Sequence, residues 1–87
     1  MRDLILWRVK RCLAGERVPN CRQVSPTVVD YEMPSEWDPR GGTVIRVIRS
    51  PIVRYHKVDQ RRTPVSWVRG WIFKCGDMVE SFPDEAR

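Results

Sequence analysis

The stretch TVIRVIRSPIVRYHKV, residues 43–58, consists of two β-branched runs divided by Ser50-Pro51. Arg46 alternates with Ile45 and Val47, and Arg54 alternates with Val53 and Tyr55. A period of two sends successive side chains to opposite faces of a strand, so the arginines face outward from a half-buried sheet. The pattern predicts one strand over 43–49 and a second over 52–58, with Ser50-Pro51 as a tight break between them.

Downstream, Asp59-Gln60-Arg61-Arg62 reads as a turn, and Pro64 restarts the chain at the edge of the next strand. Val65–Cys75 follows, then Gly76-Asp77 as a two-residue hairpin turn into a strand over 78–82. The tail from Pro83 to Arg87 is expected to fray. Upstream, Thr27–Met33 is β-branched and alternates weakly, which predicts a strand ended by Pro34. Residues 35–42 carry Pro39 and a Gly-Gly pair and read as a loop, with Trp37 folding back as a lid on the core. Residues 16–26 hold Pro19 and Pro26 and read as a connector, with at most a short extended piece around Val18.

The N-terminus has a different period. Ile5, Val9, Cys12 and Leu13 recur at i, i+4, i+7 and i+8, one face of a helix. Asp3 is placed to cap its start and Gly15 to cap its end, while Lys10 and Arg11 complement the dipole of the last turn. This predicts a helix over 4–14. The whole is one α+β domain: an N-terminal helix packed on a strongly bent antiparallel sheet of about five strands. A sheet of this kind can close into a small, partly open barrel, which removes its edges. Gly-Gly-Thr-Val-Ile-Arg-Val, then Ile-Val-Arg-Tyr and a closing hairpin, give residues 41–82 a likeness to the Src-homology-type β-barrel modules of bacterial and phage proteins. This resemblance covers about half the chain. It implies a small barrel and assigns no functional residue.

The 87 residues make one small domain, whose four tryptophans add large surfaces to a small core. Leu4-Ile5-Leu6-Trp7 is broken by Arg8, Lys10 and Arg11, too early for a membrane span or a signal-peptide core. Three widely spaced cysteines, Cys12, Cys21 and Cys75, are not a disulfide framework, and they lack the close pairing of zinc ligands. The expectation is a cytoplasmic protein with free, hydrophobe-like cysteines, no metal, no cofactor and no membrane association.

Charge is segregated along the chain. Residues 1–22 carry +4, residues 23–39 carry −4, residues 40–74 carry +8 and residues 75–86 carry −4. A basic block between acidic flanks attracts polyanions, unless the flanks fold back and neutralise it. Catalytic features are lacking. His56 is the single histidine, no nucleophile motif accompanies it, and Gly41-Gly42 is not followed by the Lys-Ser/Thr of a phosphate loop. The reading is a binding protein, not an enzyme.

The most specific element is Val65–Phe73. In a strand, Trp67, Arg69, Trp71 and Phe73 share one face and Val68, Gly70 and Ile72 the other. With the aromatic face in the core, Arg69 would need an acidic partner or a bulge at Gly70. With that face open, Arg69 stacks between two tryptophans and forms a platform for nucleobases. On the open reading, Arg46, Arg54, Lys57, Arg61 and Arg62 contact phosphates, while Tyr55, Trp67 and Trp71 stack on bases of a single-stranded nucleic acid or a nucleotide. The other reading is a phage-type accessory protein that binds and inhibits a host enzyme or defence complex, with tryptophan and arginine as hot spots. The acidic 30–38 segment could also pair with the basic block of a second copy, giving a homodimer. Burial along Val65–Phe73 separates these readings.

Overall fold

The computed structural model describes the backbone of residues 2–58 and 61–84, and the side chains of residues 2–52 and 68–84. The chain forms helix α1 (Arg2–Leu13) and strands β1 (Cys21–Ser25), β2 (Val28–Glu32), β3 (Val44–Val58), β4 (Arg61–Cys75) and β5 (Met78–Pro83). The strands follow sequence order, β1-β2-β3-β4-β5, and every neighbouring pair is antiparallel.

Helix α1 forms where the apolar period of 3.6 demands it. Ile5, Val9 and Cys12 are its buried stripe, and Asp3 lies in its first turn. Its end is a Schellman cap: Glu16 N–H donates to the Arg11 carbonyl and Gly15 N–H to the Cys12 carbonyl. Gly15 sits at φ 95°, a conformation that a Cβ would strain. A 12-residue helix is marginal alone, so docking on the sheet must hold it. The stripe meets Val29, Tyr31, Val47 and Trp71, which together with it form the buried core. Trp37 packs against this cluster from the loop, as its expected lid role requires.

Four expectations change. Residues 44–58 run as one strand through Ser50-Pro51. The reason lies in which side of β3 Pro51 faces. Arg49 N–H donates to the Thr27 carbonyl on the β2 side, and the alternation of a strand aims position 51 to that same side. The β2 pairing stops at Ile48, so the missing donor of Pro51 breaks no ladder bond. Arg61 and Arg62 belong to β4 rather than to a turn, and Pro64 adjoins the register shift at Arg54/Tyr55, where the ladder tolerates it. The connector 16–26 contains β1, a polar edge strand with its own register shift between Gln23 and Ser25. The sheet is open, with β1 and β5 as its two edges, so the barrel closure implied by the resemblance is not formed. The turn Asp59-Gln60 and the tail 85–87 lie outside the described residues.

The open shape follows from strand lengths. β3 and β4 have 15 residues each, whereas β2 reaches only Val44–Ile48 of β3 and β5 only Gly70–Cys75 of β4. Beyond Ser50 and Gly70 the two long strands pair with each other alone and continue as a two-stranded ribbon. The Cα radius of gyration is accordingly 15.0 Å, against about 12 Å for a compact chain of this length.

At the root of the ribbon, Gly70 is buried and Ile52 lies across it. A Cβ there would collide with the Ile52 side chain and stand 2.7 Å from the Phe82 carbonyl oxygen. The carbonyl belongs to the ladder and cannot yield as a side-chain tip can. We therefore expect Gly70→Ala to destabilise the fold by about 1–3 kcal/mol in urea unfolding. Adding Ile52→Ala should recover only part of that loss.

Candidate functional site

β4 enters the core at Trp71. This side chain is 5 % exposed and lies under α1 with Val47 and Val29. Its neighbour on the same face, Phe73, packs edge-on against Phe82, with ring centroids 5.2 Å apart. The odd-numbered face of β4 is thus core over Trp71–Phe73, and Trp71 is not an open stacking surface. Arg69 lies one step further along the same face and is exposed. It lies outside the core cluster, so its charge stays in water without a buried partner.

The arginine that stacks on Trp71 is Arg49, directly opposite it in the register, with its guanidinium carbon 4.5 Å from the ring centroid. Arg49 also forms a two-pronged pair with Asp84, both hydrogen bonds at 2.7 Å. Asp84 is held in place by its own N–H, which donates to the Arg69 carbonyl at 2.9 Å. The Arg49 hydrogen bonds keep the Asp84 carboxyl below its usual value, and the charges of Arg49, Lys10 and Arg69 act in the same direction. Three cations therefore gather around one acid at the foot of the ribbon, on the helix side of the sheet. Lys10 and Arg69 are the exposed members of this group.

Arg46 lies on the other face. It donates to both carboxylate oxygens of Asp30, its register partner, at 2.8 and 3.0 Å. The acidic flanks thus do fold back onto the basic block at Arg46 and Arg49. That same face carries a row of Val28, Ile48 and Ile72, joined by the register and only half-buried. The buried aromatic Tyr31 on the helix face accepts a hydrogen bond from Arg8 at 2.6 Å. Burial, with Cys12 nearby, pushes the Cys21 thiol up to about 11, which keeps it protonated and unreactive. Among the described residues no three His, Cys, Asp or Glu side chains gather closely enough to hold a metal ion.

Arg54, Tyr55, His56, Lys57, Arg61, Arg62 and Trp67 lie along the ribbon backbone, and their side chains are outside the described residues. The register sets Arg54 opposite Ser66, Lys57 opposite Arg62 and Val58 opposite Arg61. Basic residues therefore occupy both strands near the tip, and Asp59 is the single acid between positions 51 and 69. Lys10 and Asp84 were not legible as site residues. One belongs to a helix, the other to a tail expected to fray, and neither pattern reveals that they meet.

No protein-family model, curated protein or solved structure matches this chain.

The Arg49–Asp84 pair carries a pH signature. A carboxyl whose folded value lies below its ordinary 3.8 stabilises the fold above that value. This contribution disappears as pH falls through the folded value. Asp84→Asn should lower stability at pH 7 by about 0.5–1 kcal/mol, the range of a partly exposed pair. In urea unfolding the gap between variant and parent should close as pH falls below the ordinary carboxyl value of 3.8.

Proposed function

We propose that this chain is a non-catalytic nucleic-acid-binding protein that grips a phosphate backbone with the basic ribbon of β3 and β4. One observation carries the reading: five of the nine cations of residues 40–74 lie on a projecting ribbon that holds a single acid. Arg54, Lys57, Arg61, Arg62 and Arg69 face Asp59 alone within that segment. Elsewhere in the basic block, Arg46 and Arg49 are neutralised by Asp30 and Asp84, and Arg40 and Lys74 are exposed.

Phosphate contacts by lysine and arginine are the main sequence-independent source of affinity for nucleic acids. An extended line of cations suits a polymer better than a single nucleotide, because several phosphates can be met at the spacing of the chain. The burial of Trp71 removes one of the rings expected to stack on bases, so the reading rests on the charge of the ribbon.

The half-buried row Val28, Ile48 and Ile72, with exposed Val44 beside it, favours a second reading as a protein-binding accessory factor. Here the uncovered sheet face would dock on a larger protein. Copurification of a stoichiometric protein partner without nucleic-acid absorbance would favour it.

The test of the leading reading is titration of a labelled oligonucleotide across a salt series, after measuring the absorbance ratio of protein purified at low salt. Affinity should fall linearly on logarithmic axes as salt rises. The double variant Arg61→Gln/Arg62→Gln should reduce the slope by roughly 2, about 0.9 for each phosphate that is no longer neutralised. Undetectable or salt-insensitive binding would remove the proposal.

A further inference from the structure

Resting on that reading, we infer that the nucleic acid is double-stranded B-form DNA and that the β3–β4 ribbon enters its major groove. The inference comes from a change of width. The body of the sheet is five strands across at Arg46–Lys74, roughly 19 Å at about 4.8 Å between strands. Past Ser50 and Gly70 it narrows abruptly to two strands.

The major groove is about 12 Å wide and 8.5 Å deep, which admits a two-stranded ribbon and not a five-stranded sheet. The minor groove, at about 6 Å, admits neither without being opened. The ribbon spans Pro51–Val58 against Arg61–Arg69, roughly 25–30 Å at about 3.3 Å per residue. Its length is therefore close to one turn of duplex, about 34 Å.

The step in width also acts as a stop. Where the sheet broadens, its shoulders must meet the phosphates that rim the groove, and the described cations stand there. Lys10 and Arg69 flank Asp84 at that shoulder, with Arg49 already satisfied by the acid. Lys10 and Arg69 are exposed and would take the rim phosphates. Their carboxylate neighbour Asp84 is engaged by Arg49 on both oxygens, which limits its repulsion of an incoming anion.

Single-strand recognition would need open aromatic faces. Among the described aromatics, Trp71 is core, Phe73 is packed on Phe82, and Trp7 stands on α1 with Arg11 stacked upon it, while the side chains of Tyr55 and Trp67 lie outside the described residues. An A-form RNA duplex is also a poor fit, because its major groove is deep and too narrow for side chains to read.

The experiment compares a labelled 20-base-pair DNA duplex with its single strand and with an RNA duplex of the same sequence, by fluorescence anisotropy at low salt on the full chain. The expected result is DNA duplex bound at least tenfold tighter than either. Equal or tighter binding of single strand or RNA overturns the groove inference and leaves the phosphate-binding proposal standing. Binding to none of them overturns both. A major-groove dye such as methyl green should be displaced. Displacement of distamycin from the minor groove instead would overturn the choice of groove.

Arg69→Gln and Lys10→Gln should each weaken duplex binding roughly threefold or more and flatten the salt dependence. Arg46→Gln, on the opposite face and paired with Asp30, should leave affinity within about twofold, because a charge remote from the contact changes only the screened long-range field. Equal losses from Arg46→Gln and Arg69→Gln would mean a diffuse attraction to the whole domain, and the groove geometry would fail.

Discussion

The docking of the Ile5–Val9–Cys12 stripe onto Val29, Tyr31, Val47 and Trp71 is the contact on which the rest of the structure depends. Neither layer stands alone: a 12-residue helix is marginal in water, and a sheet with one unburied apolar face lacks a core. Full burial of a large apolar side chain contributes about 1.5–3 kcal/mol, and few such side chains exist here. Trp71 matters most among the strand contributions because it brings the largest surface, and because its position sets the phase of β4. Once Trp71 points to the helix, Arg69 and Phe73 share its face by the period of two. Arg69 lies outside the core cluster, so the same phase that buries tryptophan leaves this arginine in water.

The charges then sort themselves by reach. Arg49 lies across from Trp71 and can lay its guanidinium on the ring while both prongs meet Asp84. Arg46, three residues away, points to the opposite face and finds Asp30 one strand over. Both pairs sit in the five-stranded body, where strands on each side supply acidic neighbours. Along the ribbon β3 and β4 have only each other, and both are basic. Unequal strand length therefore sets which cations have a neighbouring strand on both sides. In the body Arg46 and Arg49 meet acids, and along the ribbon five cations share one acid in sequence.

Much of this fold is legible in the sequence. The helical stripe, its glycine cap, the Gly76-Asp77 hairpin and the alternation in β2, β3 and β4 all follow from local pattern. β1 was hidden because Cys21–Ser25 has the polar composition of an edge strand, with three exposed residues, and so resembles the connector around it. The break expected at Ser50-Pro51 rested on a sound rule whose outcome depends on context. Proline interrupts a ladder only where its missing N–H faces a neighbouring strand, and here the β2 side is vacant past Ile48. Barrel closure could not be judged locally, since it depends on whether two edge strands far apart in sequence come to meet.

By itself, the sequence determined the charge blocks, the helical and strand periods, and the sharing of one face by Trp67, Arg69, Trp71 and Phe73. These are properties of neighbouring residues, and backbone geometry alone converts them into faces. Only the tertiary structure decided which part of that shared face is covered and which arginines are neutralised. The deciding partners lie 16 residues apart for Arg46–Asp30 and 35 for Arg49–Asp84, separations at which local periodicity carries no information. The end of a neighbouring strand fixes where the ribbon begins. The Trp-Arg-Trp spacing that looked like one platform is thereby divided into a buried tryptophan and an exposed arginine.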